Sequence, residues 1–564
     1  MSDSQKLKLV LCWHMHQPEY RDLQTGEYQL PWTYLHVLKD YSDMAAHLEA
    51  VPEARAVVNF APILLEQIED YAKQVTGFLR EDTPVKDALL SALVASSVTA
   101  EPEGRLKIIN DCVKANRARQ IERYPAYLNL VVMADWVRHH AEALSYLSPH
   151  YFEDLLVWYH LAWMGESIKL SDFRIQKLID KGSGFSHAER IQLAEVIGEH
   201  LDNIIGRYKK LAEQGRIELS VTPYAHPIMP LMLDIKSALQ AMPDAVMPEL
   251  DSYPGGTERV EWHLQYGLDT FRRFFGFTPQ GCWPSEGAVS AETLSILSEY
   301  GFKWTASGGN VLRNSLHLSQ LQETSTHHPF CVDDIQLPCF FRDDGLSDLI
   351  GFEYSKWHAD DAVADLIKHL EFIHKHDASD GKVVSIIMDG ENAWEYFPQN
   401  GYYFLSALYQ KLSGHPVIEL TTFSACLDQD VGVKPLPKMM AGSWVYGTFS
   451  TWIGDKDKNR GWDMLGDVKK CYDNLIASGS LTYERVNAAR QQLAICEGSD
   501  WFWWFGDYNP GDAVSSFERQ YRLNLTNLYR LMGQEPPAYL AQSFAQGSGQ
   551  PAMGGAMRPG VENL

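Results

Sequence analysis

Four short apolar runs, each breaking off into a cluster of polar and aromatic residues, constrain this chain more than any other feature. Lys8-Leu9-Val10-Leu11-Cys12-Trp13 runs into His14-Met15-His16-Gln17-Pro18. Ile217-Glu218-Leu219-Ser220-Val221 runs into Thr222-Pro223-Tyr224-Ala225-His226-Pro227. Gly281-Cys282-Trp283 stops at Pro284-Ser285-Glu286-Gly287, and the apolar residues 383–388 stop at Asp389-Gly390-Glu391-Asn392-Ala393-Trp394. Apolar runs of this length, bounded by turn residues, read as strands buried on both faces. Polar groups at the carboxyl ends of such strands are where barrel enzymes keep their chemistry. Two further runs, 56–60 and 303–307, also read as strands. Tyr34, Leu38, Tyr41, Ala45 and Leu48 recur at spacings of four and three, a helix between the first two strands. Strand, loop, helix, strand is how a β/α barrel begins.

Residues 63–214 are helical in pattern, and Ser186-His187-Ala188-Glu189 offers a capping box to the helix that ends near 214. This predicts a barrel with a long helical insertion after its second strand. Gly432-Val433-Lys434-Pro435-Leu436-Pro437 reads as a linker, and helical periodicity returns over 460–535. Beyond about 540 the chain turns to Gln, Gly, Ser and Pro, the composition of a disordered tail. The expected layout is a barrel over 1–435 with its insertion at about 63–214, a helical domain over 436–540 that completes the cleft, and a tail over 541–564.

Composition narrows the partners. With 49 Lys and Arg against 73 Asp and Glu in 564 residues, the net charge of −24 repels nucleic acid and anionic membranes. A neutral substrate fits that field better than a phosphorylated one. No run approaches the 18 apolar residues of a membrane span. The opening Met1-Ser2-Asp3-Ser4-Gln5-Lys6 lacks the apolar core of a signal peptide. The eight cysteines are scattered without a CxxC pair, as free thiols in a reducing compartment would be. A cytoplasmic location is the resulting expectation; nothing in the sequence indicates the oligomeric state.

In a strand His14 and His16 face the same side, so both imidazoles can enter one site, as half of a metal site or as neutral hydrogen-bond partners. Two histidines satisfied at a strand end are the plainer alternative. His226, alone in its motif, gains weight only from its company. Glu286 lies among Trp283, Pro284 and Gly287, which can place a carboxylate rigidly, although a solvated glutamate competes evenly. Asp389 and Glu391 flank a glycine that permits close approach, against the alternative of a surface turn. Carboxyls from different strand ends, flat rings and neutral donors together suggest glycoside chemistry, with one carboxylate at the anomeric carbon and a second protonating the leaving oxygen. No phosphate-binding loop or serine nucleophile elbow is present: Gly308-Gly309-Asn310 lacks the lysine and spacing of the former.

Taken in order, the four segments resemble the signatures of glycoside hydrolase family 57, over about residues 8–530. The resemblance implies an incomplete (β/α)7 barrel followed by an α-helical region. It also implies action on α-glucans with retention of configuration, and no required metal or cofactor. By the same resemblance Glu286 is the nucleophile and Asp389 the acid/base, while His14, His16, His226 and Glu391 line the sugar site. Glu497-Gly498-Ser499-Asp500-Trp501 matches a fifth signature more loosely and offers Asp500. Gln17, Trp283, Trp394 and Trp444 complete the expected substrate contacts, with core packing a rival role for the rings. The sequence looks nearer the α-amylase and amylopullulanase branch than the branching enzymes. Its alternatives are a 4-α-glucanotransferase, a metal-dependent polysaccharide deacetylase and a non-catalytic glucan-binding protein.

Overall fold

The computed structural model of the chain describes residues 6–322, 324–377 and 381–549. Its main sheet comprises β1 (Leu7–Met15), β2 (Ala56–Phe60), β3 (Ile217–Val221), β4 (Gly281–Cys282), β5 (Trp304–Ser307), β6 (Phe330–Val332), β7 (Cys339–Phe341), β8 (Val383–Asp389), β9 (Ile418–Thr421) and β10 (Lys434–Leu436). Seven of them pair in parallel in the order β8-β1-β2-β3-β4-β5-β7. The outer members meet through a bridge between Arg342 and Ser385, where the Asp343 N–H donates to the Ser385 carbonyl at 2.8 Å. The pairing is thin at β3 and β4, which share the single register pair Val221 and Cys282. The result is an incomplete (β/α)7 barrel with a helical C-terminal region.

The period-two alternation of the strands sorts side chains between two cores. Leu9, Leu11 and Trp13 of β1 face the surrounding helices. Val10 and Cys12 instead join Val57, Trp304, Ala306, Phe340, Val383 and Ile387 in a separate cluster that fills the barrel. Carrying the inward parity one step further brings His14 on β1 and Asp389 on β8 to the carboxyl end, paired in register. Phe423 and Cys426, from the helix Phe423–Asp428, join the same cluster. Beside them Glu218 accepts hydrogen bonds from Trp304 Nε1 at 2.6 Å and from the Ser424 N–H at 3.0 Å. That glutamate, part of the second sequence motif, serves the barrel floor.

Between β2 and β3 the chain is helical from Pro62–Glu81 to His187–Glu213, and Ser186 and Glu189 form the expected capping box. After β10 come helices Lys456–Ser478, Tyr483–Cys496, Ser499–Trp504 and Gly511–Leu531. Buried Glu497 fastens this region to the barrel helix Gly256–Phe275: Arg259 Nη2 and His263 Nε2 donate to its carboxylate at 2.7 and 2.8 Å, and Tyr253 Oη at 2.5 Å.

Two expectations change. The linker expected at 432–437 contains β10, which pairs in parallel with β6, so three of its residues extend the sheet. Residues 541–549, assigned to a disordered tail on composition, pack on the helices instead. Phe544 meets the Phe505 ring at 5.0 Å, and the Ser548 and Gly549 N–H groups donate to the Asp507 and Asn509 carbonyls. One aromatic anchor and glycines that let backbones approach explain the difference: a Cβ at Gly549 would lie 1.8 Å from the Tyr508 carbonyl oxygen. Residues 550–564 of that expected tail lie outside the described residues. The strands at 330–332, 339–341 and 418–421, only three or four residues each, gave no sequence pattern. Among the described residues no helix is long and apolar enough to cross a membrane.

Candidate active site

The carboxyl end of the barrel opens into a cavity of about 990 Å3. His14, His16, Gln17, His226, Glu286, Asp389, Glu391, Trp444 and Asp500 all line it, from six separated stretches of chain. Glu286 follows β4 in a left-handed backbone conformation (φ 59°), uncommon for a residue with a side chain. Gly287 repeats that conformation, and a Cβ there would come within 2.8 Å of the Trp283 ring. The turn thereby aims the Glu286 carboxyl inward, where Trp444 Nε1 donates to Oε2 at 3.0 Å and Ser499 Oγ lies 3.2 Å from Oε1. Backbone supports the same contact, with the Trp444 N–H donating to the Glu286 carbonyl at 3.0 Å.

Asp389 ends β8 and accepts a hydrogen bond from Asn392 Nδ2 at 2.8 Å. A Cβ at Gly390 would lie 2.1 Å from Met15 Sδ, so glycine alone lets this turn press against β1. Glu391 accepts from Gln17 Nε2 at 3.1 Å, and its other oxygen is buried without a protein partner. His16 Nε2 lies 3.0 Å from both Asp500 oxygens, and its ring stacks on His226 at 3.8 Å. The looser fifth motif therefore reaches the site.

Burial dominates the electrostatics. It pushes Glu286 well above the usual carboxylate range, helped by the charges of Asp389 and Asp500 and opposed by Trp444 and Ser499. Asp389 is pushed up to about 6 by burial, against the Asn392 hydrogen bond. Glu391 is raised by burial and by Asp389. His14 falls to about 3 through burial and the neighbouring His16, and His226 falls well below its usual value for the same reasons. Both rings are neutral near pH 7.

Two predicted contacts do not line the cavity. Trp283 is buried inside the barrel, its ring 5.3 Å from Trp444 and edge-on to it. Trp394 is buried too, donating to the Gly390 carbonyl at 2.9 Å and packing on Trp13 at 5.7 Å. Each ring shapes its carboxylate's turn from behind, the packing role that aromatic residues take most often. Conversely, sequence reasoning missed Trp32 and Trp163, which line the cavity from the first helix and the insertion, and Arg342 from the end of β7. Arg342 lies 5.8 Å over the Trp444 ring and is paired with Asp344 and Asp348. No local motif marks any of the three.

His16, His226 and Asp500 place one nitrogen or oxygen each within 4.8 Å of one another. Their atoms are engaged within the protein: His16 with Asp500, and His226 with His14 at 3.0 Å and Ser499 at 2.8 Å. His16 and Asp500 are hydrogen-bonded to each other while His226 stacks on His16 and bonds elsewhere, and we do not assign the three as metal ligands.

Comparison with known proteins agrees with this geometry. The model for glycosyl hydrolase family 57 matches residues 10–439. No curated protein sequence matches. Among solved structures, a branching enzyme of that family from Thermococcus kodakaraensis aligns at 16% identity over 93% of this chain and 90% of its own, with a TM-score of 0.55. The α-amylase AmyC from Thermotoga maritima aligns at 14% identity over 94% and 93%, with a TM-score of 0.56. A 4-α-glucanotransferase from Thermococcus litoralis aligns at 14% identity over 93% of this chain and 60% of its own, with a TM-score of 0.50.

Proposed function

The chain belongs to glycosyl hydrolase family 57, and from that membership and its buried carboxyls we propose that it is a retaining hydrolase of α-glucans, of malto-oligosaccharide, starch or glycogen type. The observation that carries the reading is the pair of carboxyls brought from separate strand ends into one cavity, Glu286 held by two donors and Asp389 by one. Glu286 attacks the anomeric carbon and forms a glycosyl ester, while Asp389 gives its proton to the leaving oxygen. Asp389 then takes a proton from the water that hydrolyses the ester. Burial raises both groups, and the hydrogen bonds from Trp444 and Ser499 oppose that rise at Glu286 as the one from Asn392 does at Asp389. Asp389, at about 6, keeps its proton into the mildly acidic range.

The cavity, lined by the rings of Trp32, Trp163 and Trp444 and by more carboxyls than cations, inside a chain of net charge −24, suits an uncharged glucan better than an anionic substrate. His16, Glu391 and Asp500 are the groups that meet sugar hydroxyls, and Glu391 brings one oxygen without a protein partner.

Incubation with maltoheptaose, products resolved over time, tests the reading. Shorter maltodextrins with one new reducing end per cleavage are expected. Longer products without new reducing ends would instead make it a 4-α-glucanotransferase, and no reaction would leave a glucan-binding protein. Full activity after exhaustive chelation is also expected; loss restored by zinc would favour the deacetylase.

A further inference from the structure

Behind Ser499, one of the two donors to Glu286, runs an unbroken line of polar contacts that the catalytic reading does not use. Ser499 Oγ lies 3.2 Å from Glu286 Oε1 and 2.8 Å from His226 Nδ1. His226 Nε2 lies 3.0 Å from His14 Nε2, and His14 Nδ1 lies 2.7 Å from the Asn59 carboxamide. Ser499, His226, His14 and Asn59 are all buried, so no solvent proton relaxes the arrangement. Each neutral imidazole carries one N–H and one lone pair, and a hydroxyl has one proton. The whole line must therefore point one way or the other.

Asn59 settles which. One end of its carboxamide faces His14 Nδ1 and, at 2.8 Å, Thr222 Oγ1; the other faces Ser220 Oγ at 3.0 Å. Thr222 Oγ1 also lies 2.8 Å from the Trp283 carbonyl oxygen, which can only accept. Oxygen and nitrogen of a carboxamide are nearly the same size, so proton counting decides its orientation. With Oδ1 facing Thr222, the hydroxyl would have to donate its single proton twice, to Asn59 and to the Trp283 carbonyl. With the NH2 group there, Thr222 donates to Trp283 and accepts from Asn59, Ser220 donates to the Asn59 oxygen, and the second amide proton goes to His14 Nδ1. Every group is then satisfied.

We propose that Asn59 is a positioning residue that directs a relay of hydrogen bonds, Asn59 to His14 to His226 to Ser499, so that every proton points toward Glu286 and its carboxylate is held ready for attack. His14 is the Nε2–H tautomer and donates to His226 Nε2. His226 is the Nδ1–H tautomer and donates to Ser499, whose proton falls to Glu286 Oε1. Both ring nitrogens of both histidines are consumed, so these rings orient the nucleophile and do not bind sugar. The other charged or titratable groups facing Glu286 are His16 just after β1, Arg342 beyond β7, Asp389 at the end of β8, Glu391 after it, and Asp500 from the C-terminal region. None of them joins the relay.

The proposal rests on Glu286 being the nucleophile, and its test separates the two ideas. Neutron diffraction from deuterium-exchanged crystals of the full chain should place deuterons on His14 Nε2 and His226 Nδ1. A deuteron on His14 Nδ1 overturns the inference whatever the enzyme does. In kinetics, Ser499→Ala should move the acid limb of kcat/KM up by about one pH unit, the worth of one hydrogen bond to a charged group. Ser499→Thr, which keeps the hydroxyl, should restore it. Asn59→Asp, which can only accept, should reverse the relay and give a similar shift, and the double variant should shift no further than Ser499→Ala. An acid limb unmoved in both folded single variants, or two shifts that add, overturns the proposal. Deuterons as inferred with full turnover by Glu286→Gln would sink the catalytic reading and leave the relay standing.

Discussion

Trp444 joins the C-terminal region to the chemistry through one N–H. Trp444→Phe keeps the ring over Trp283 and removes the donor to Glu286 Oε2. A hydrogen bond to a charged group is worth about 1.5–3 kcal/mol, so kcat/KM should fall roughly 10- to 100-fold with thermal stability little changed. An unchanged kcat/KM would mean that the contact does not matter in the transition state. Asp389 makes a pH prediction. Burial raises it to about 6, so it is protonated below that pH and loses its proton as pH rises through it. The rate on unactivated glucans should therefore decline above about pH 6, and Asp389→Asn should abolish that limb. The same variant should damage turnover of good aryl leaving groups far less, because they need little protonation; equal damage on both substrates would remove the acid role.

Among the elements, Glu497 shows most clearly what joins barrel and helices. Burial opposes its charge, yet the Arg259 guanidinium and His263 hold the carboxyl down at about 2. A carboxyl depressed in the folded state contributes stability above its unfolded value near 4.3 that is lost as pH falls toward 2. Glu497→Gln leaves Arg259 buried without its partner, and calorimetry at pH 7 should show a loss of about 3–5 kcal/mol, much of it absent near pH 2.5. Equal losses at both pH values would contradict the account. This element was half legible in the sequence. Its Gly498-Ser499-Asp500 continuation stood out as a loose motif, but Arg259 and His263 lie in an ordinary amphipathic helix, and nothing local marks them. Glu286, Asp389 and Glu391 were legible because proline and glycine cut their strands short. Asn59 and Ser499 were not, since their role emerges only when protons are counted across several segments. Trp283 and Trp394 misled because a ring beside a carboxylate looks the same in sequence whether it faces sugar or core.

At the scale of the whole molecule, residues beyond 440 reach the chemistry: Trp444, Ser499 and Asp500 each touch a group at the barrel mouth. Deleting 440–564 should give insoluble or inactive protein. Deleting 541–564 should preserve turnover but lower Tm, because Phe544 leaves its place against Phe505 and Tyr521. A soluble, fully active 1–439 fragment would show that the barrel carries a complete site. The central claim, a covalent intermediate on Glu286, has a more direct test. Incubation with 5-fluoro-α-glucosyl fluoride, whose fluoride leaves readily while hydrolysis of the resulting ester is slowed, should accumulate the glycosyl-enzyme. Peptide mass spectrometry should find one fluoroglucosyl group, carried on Glu286. A label on Asp389, Glu391 or Asp500, or steady turnover of α-glucans with no label on any carboxyl, would contradict the account.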